Sequence, residues 1–96
     1  MFETLDPLLH SQLRLSVMSL LVSVEQADFV YIKEETDATA GNLSVQLDKL
    51  SNAGYIEIVK GFRGKKPNTS CRITKSGIKA FEKYVNALSN YINIKK

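Results

Sequence analysis

Residues 7–24 place their apolar side chains on two opposite faces of a helix. Leu13, Val17, Leu20, Leu21 and Val24 form one stripe, Leu8, Leu15, Met18 and Val22 another, with Gln12, Ser16, Ser19 and Ser23 between them. Asp6 before Pro7 supplies an N-cap and a proline for the first helical position, so the helix is expected from about Pro7 to Val24. Two apolar faces need two covers. One is the domain core, the other the C-terminal helix or a second subunit. Glu25-Gln26-Ala27 reads as a connector, and Asp28 as the cap of a second helix, about Phe29 to Thr36, that buries Phe29 and Ile32. After the tight turn Asp37-Ala38-Thr39, Thr39 caps a third helix, about Ala40 to Ala53. Leu43, Leu47 and Leu50 face its core side, and Gly54 ends it.

The pattern then changes period. Tyr55–Lys60 is β-branched and aromatic with rough alternation, a strand. Gly61, Gly64 and Pro67 punctuate a loop over residues 61–68, and Thr69–Ile73 returns as a second strand. Thr74 caps a final helix, about Lys75 to Ile92. Its Ile78, Phe81, Val85, Leu88 and Ile92 follow 3, 4, 3, 4 spacing, a heptad seam flanked by Tyr84 and Tyr91. These elements predict one α+β domain over residues 1–96, with residues 75–94 as a dimerisation helix.

Charge sharpens the picture. The net charge is only +3, yet residues 1–48 carry two bases and eight acids, whereas residues 49–96 carry eleven bases and two acids. A basic half of that size fits a polyanionic partner, or else a solvated surface with no partner. The first residues are acidic and lack the basic start of a secretory signal, and the apolar runs are broken by Arg14, Ser16 and Ser19. A cytoplasmic protein without membrane contact is the expectation. One cysteine, Cys71, and one histidine, His10, exclude an intramolecular disulfide and leave no metal set.

Two helices joined by a three-residue turn make a helix-turn-helix, and a hairpin with a basic tip directly after them makes a wing. Several segments carry a resemblance: Leu5-Asp6-Pro7-Leu8-Leu9-His10-Ser11, Arg14-Leu15, Asp28-Phe29, Gly41-Asn42-Leu43-Ser44, Leu47-Asp48-Lys49-Leu50, Ala53-Gly54-Tyr55-Ile56 and Thr74-Lys75-Ser76-Gly77. Together they resemble the small stand-alone winged helix-turn-helix regulators of the ArsR/MarR superfamily, over nearly the whole chain from about Leu5 to Leu88. The stretch Asn42–Ile56 is the most specific. The resemblance implies a three-helix core, a β-hairpin wing, a long C-terminal helix, and a third helix that enters the major groove of double-stranded DNA.

The residues agree with that implication. With the leucines of the third helix buried, Asn42, Val45 and Lys49 point outward, flanked by Gly41, Ser44 and Gln46. Their amides and hydroxyl suit base edges, and Val45 suits a thymine methyl. Thr39, the cap, and Gly41, two residues on, are expected at the DNA as well, Gly41 because it permits close approach to a phosphate at the helix N-terminus. Arg63, Lys65 and Lys66 at the wing tip suit phosphates, with Arg63 also suited to the minor groove; Lys60 and Arg72 flank them. Leu8, Leu15, Met18 and Val22, with Ile78, Phe81, Tyr84, Val85, Leu88, Tyr91 and Ile92, are the expected homodimer interface, because two recognition helices one DNA turn apart multiply specificity.

The chain departs from the metal-sensing members of that superfamily, since it has neither their cysteine pairs nor their carboxylate–histidine pairs. No cofactor is expected, and a small-molecule effector stays unassigned. Glu34, Glu35 and Asp37 must point away from phosphate for DNA to bind. Cys71 reads as a small buried side chain rather than a redox sensor. No phosphate loop, nucleophile elbow or metal-spaced cluster supports an enzyme. The competing reading is a winged-helix module that binds a protein partner through the same surface; one continuous positive patch over wing and third helix would favour DNA.

Overall fold

The computed structural model describes residues 2–92. Its elements run α1 (Gln12–Val24), β1 (Gln26–Asp28), α2 (Phe29–Thr36), α3 (Ala40–Asn52), β2 (Ile56–Arg63), β3 (Lys66–Ile73) and α4 (Lys75–Ser89). The three strands form one antiparallel sheet in the order β1-β3-β2. Val17, Met18 and Leu21 of α1, Ile32 of α2, and Leu43, Leu47 and Leu50 of α3 pack with Ala27, Ile56, Cys71 and Ile73 of the sheet and Tyr84 of α4. No helix among the described residues is long and apolar enough to cross a membrane.

The helix-turn-helix has the expected bounds to within a residue. Thr39 accepts the Asn42 amide and starts α3, while Asp37 takes a left-handed conformation (φ 56°) to close the preceding helix. α1 starts later than expected, at Gln12. Asp6 does not cap it: its Oδ1 accepts the Leu8 amide at 3.0 Å, and its Oδ2 accepts the Tyr55 hydroxyl at 2.6 Å. Residues 6–10 therefore form a separate turn that buries Leu9 completely, and Ser11 caps the helix.

The residues read as a connector contribute β1, whose Ala27 lies opposite Cys71. Three residues are too few to show a period. The loop expected over 61–68 is instead mostly strand. β2 and β3 pair rung by rung from Ile56↔Ile73 to Arg63↔Lys66, leaving only Gly64 and Lys65 in the turn. Gly64 has φ 65°, as a two-residue hairpin turn requires at its first position. Pro67, opposite Phe62, does not break the ladder. It sits one rung from the turn, at a position whose amide faces away from β2, and β1 pairs β3 only from Ser70 onward.

α4 corrects part of the expected dimer face. Its buried residues are Gly77, Tyr84 and Ala87, and the heptad positions Ile78 and Val85 are exposed. Tyr84 turns inward, where its hydroxyl lies 3.0 Å from His10 Nδ1. Met18 is likewise wholly inside the core. Neither Met18 nor Tyr84 offers surface to a second subunit. Tyr91 stacks on Phe2 with ring centres 4.8 Å apart and donates to the Glu3 carbonyl, so it binds its own N-terminal segment. The helix ends at Ser89 rather than Ile92; residues 93 and 94 of the expected helix lie outside the described residues.

One junction joins the end of α3, the start of β2 and the start of α4. The Thr74 hydroxyl donates to the Gly54 carbonyl at 2.6 Å and accepts the Gly77 amide at 3.0 Å, while the Thr74 amide donates to the Tyr55 carbonyl at 3.1 Å. α4 comes so close that a Cβ on Gly77 would lie 2.1 Å from the Tyr55 carbonyl oxygen. Gly77→Ala is therefore expected to lower unfolding stability by about 2–3 kcal/mol, read as a lower urea midpoint. Gly41→Ala, whose added carbon meets nothing within 4 Å, is expected to stay within about 1 kcal/mol of the parent.

Tyr55 also reports on this junction. Its hydrogen bond to Asp6, then burial, then the Asp6 charge push the phenol from 10.0 up to about 12. The neutral phenol is the bonded form, so its stabilisation is complete below pH 10 and is lost as pH rises through 12. In tyrosinate absorbance, the difference between parent and Tyr55→Phe should titrate near pH 12; a component near pH 10 would show that the bond to Asp6 is absent.

Candidate nucleic-acid interface

α3 and the β2–β3 hairpin border a groove of about 510 Å³, lined by Phe29 and Val30 of α2, Ser44, Leu47 and Asp48 of α3, and Ile58, Lys60, Pro67, Asn68 and Thr69 of the hairpin. The amphipathic spacing of α3 produces this arrangement. Its three leucines are buried, which turns Gly41, Asn42, Ser44, Val45 and Lys49 outward. Val45 is half exposed, ready for apolar contact.

The outward side chains are partly pre-positioned. Gln46 Nε2 donates to Asn42 Oδ1 at 3.0 Å, one turn away, and Gln46 Oε1 accepts from Arg14. Arg14 Nε in turn donates to the Leu8 carbonyl. Arg14 thus links the N-terminal turn, α1 and the outer face of α3. It was not among the residues expected at the site; the available signal was a lone base within an apolar helix. Gln46 is half-buried and committed to these two bonds, whereas Asn42 is exposed.

Strand pleating sorts the hairpin residues onto two faces. Ile56, Ile58, Lys60 and Phe62 share the face of Ile73, Cys71, Thr69 and Pro67, and this face borders the groove beside α3. Although Asn68 also reaches the rim of the groove, it lies on the other face with Arg72, Arg63 and the cross-strand partner of Arg63, Lys66. There Arg63 forms an ion pair with Asp28, which also accepts from Asn68 Nδ2 at 3.2 Å. Arg72 pairs with Glu57 at 2.7 Å, its direct cross-strand neighbour. Arg72 is one rung from the base of the hairpin, six residues along β3 from Lys66, so the structure separates it from the tip cluster. Lys65 and Lys66 are exposed at the tip. No acidic residue occurs between Lys60 and Arg72. The patch nevertheless includes one acid, since Asp48 lines the groove with Lys60.

The acids of α2 lie elsewhere. Glu34 lines a cleft with Val24, Asp28, Tyr31 and Arg63, and Glu35 lines another against Leu15, Ser19 and Ser23 of α1. Neither cleft includes a residue of α3. Cys71 is fully buried, and desolvation pushes its thiol up to about 11. It is a protonated packing group at neutral pH.

Helix-turn-helix, hairpin and closing helix, with α3 and the wing on one groove, define a winged helix protein. Residues 13–92 match the family described as winged helix DNA-binding domain, and the chain belongs to that family. It is 34% identical over 76 residues to an uncharacterised protein of Methanocaldococcus jannaschii, covering 79% of this chain and 83% of that one. The fold is similar to that of a transcriptional regulator homologue from Pyrococcus horikoshii OT3, with TM-score 0.84 and 27% identity over 90% of this chain and 85% of that one. It is also similar to a MarR mutant from E. coli complexed with operator DNA, with TM-score 0.73 and 19% identity over 92% of this chain and 68% of that one. These relationships agree with the resemblance read from the sequence.

Proposed function

We propose that this protein is a sequence-specific regulator that binds double-stranded DNA as a homodimer. The observation that carries the reading is the groove that α3 and the hairpin share, lined by Ser44 and Asp48 on one side and Lys60 on the other, beside the exposed face of α3 and a hairpin tip that bears Lys65 and Lys66 and no acid. Family membership supports it, as does the operator complex of the similar MarR. In this role Asn42, Ser44 and Val45 meet base edges in the major groove. Thr39, Gly41 and Lys49 stand at the ends of that face and approach phosphates, as do Lys60, Lys65 and Lys66 of the wing. Gln46 acts by holding Asn42 in place. The mechanism is occupancy of a pseudo-palindromic operator.

The dimer reading rests on the apolar stripe that α4 and the residues just after it leave uncovered. Ile78, Val85 and Ile92 are exposed, Phe81 and Leu88 are half-buried beside them, and Val22 of α1 is exposed as well. Leu8 and Leu15 are also half-buried and can extend the contact.

Two measurements test these assignments. In fluorescence anisotropy with labelled duplex over a salt series, Lys66→Ala should weaken binding on all sequences and flatten the log–log salt slope by about 1.8, about 0.9 for each subunit of the dimer. Asn42→Ala should instead relax preference at one base pair, by about 1–3 kcal/mol of discrimination. Absence of salt-dependent binding by the parent would overturn the reading. For assembly, sedimentation should give a dimer mass for the parent and a folded monomer for Val85→Glu; a monomeric parent at tens of micromolar refutes the dimer.

A further inference from the structure

The wing carries an aromatic side chain that its fold does not use. Phe62 is 75% exposed, the most exposed of the large hydrophobic residues described. It is the last residue of β2 on the groove face before the turn, across from Pro67, with Lys60 on the same face, Lys65 in the turn and Lys66 on the opposite face with Arg63. Its neighbour Arg63 points to the opposite face and is held by Asp28. The expected minor-groove arginine is thus turned away from the α3 side, and Phe62 stands there in its place.

We infer that Phe62 is an apolar wedge for the DNA minor groove and that the protein kinks the duplex it binds. The inference rests on the DNA-binding reading above and adds how the wing reads its target. Three physical points support it. The minor groove, about 6 Å wide, is too narrow for a two-stranded ribbon but admits one side chain. β2 spans about 23 Å from Ile56 to Arg63 at the usual rise per residue, enough to cover the half-turn of about 17 Å from a major groove to the flanking minor groove. Exposing a phenyl ring to water is unfavourable, and a ring that shares its face with Lys60, at a hairpin tip with no acid between Lys60 and Arg72, suits a surface that is anionic outside and apolar between its base steps. Partial insertion unstacks a base step and bends the duplex, by roughly 20–90° in proteins that work this way. Pyrimidine–purine steps yield most easily and A-tracts resist, so the wing selects sequence without a hydrogen bond to a base.

The test uses two duplexes of about 30 base pairs and equal composition, one rich in TA steps and one built of A-tracts, with a fluorescence donor and acceptor at their ends. The parent protein should prefer the TA-rich duplex and bring its ends closer together. Phe62→Ala should lose the bend and most of that preference, with about tenfold weaker binding to the TA-rich duplex, while keeping its salt dependence. Phe62→Leu should still bend the duplex, because leucine is also a wedge. Both substitutions lie outside the core and leave the fold intact. Unchanged bending and preference in Phe62→Ala, with Lys66→Ala still weakening binding, would overturn the wedge and leave the DNA-binding reading standing. Salt-dependent binding by the parent without any bend would also overturn it. No binding of either duplex by the parent would overturn both.

Discussion

The approach of α4 to the Tyr55 carbonyl organises the molecule. Gly77 lets the first turn of α4 come within a distance that any side chain would forbid, and Thr74 bonds across the gap to Gly54 and Tyr55. Three elements meet at that point, so the direction of α3, the root of the wing and the path of the C-terminal helix are set together. Tyr55 extends the same junction to Asp6, which fastens the N-terminal turn. Thr74-Lys75-Ser76-Gly77 and Ala53-Gly54-Tyr55-Ile56 are far apart in sequence but form a single contact. The family resemblance carried by these two segments thus has a steric basis.

The same economy shapes the outer face of α3 and the hairpin. Arg14 spends its charge inside the protomer, bridging Leu8 and Gln46, so a change at the N-terminal turn can reach Asn42 through two side chains. Asp28 does the equivalent for the wing, tying Arg63 and Asn68 to the start of α2. Both are modest interactions, and the Arg63 pair is largely exposed and worth little to stability. Their effect is orientation. They decide which polar groups face outward and which are already engaged.

The stripe proposed for the dimer shows how a helix can divide its faces. α4 turns Gly77, Ala80, Tyr84 and Ala87 inward, packs Phe81 and Leu88 partly against the core, and keeps Ile78 and Val85 for the outside, with Ile92 exposed beyond its end. Small residues inward allow the close approach at Tyr55. Large aliphatic residues outward leave an apolar surface that water does not favour, which is the driving force for a second copy to cover it.

Local rules were enough to recover the helix-turn-helix from the sequence. The leucine spacing of α3, the cap at Thr39 and the glycine at its end act within a few residues of one another, so position along the chain determines them. The basic hairpin was legible as well, though not its length. Gly61 and Pro67 look like breaks until the register shows Pro67 where no β2 amide bond is needed. β1 was hidden because three residues have no period, and it exists only because β3 offers a free edge. The pairing of Arg63 with Asp28, the exposure of Phe62 and the inward turn of Met18 and Tyr84 depend on contacts between residues distant in sequence. A heptad pattern says which residues share a stripe, but not whether the stripe faces the protein's own core or the solvent. Only packing in three dimensions chooses, because burial is a property of the neighbours an element acquires and not of the element itself.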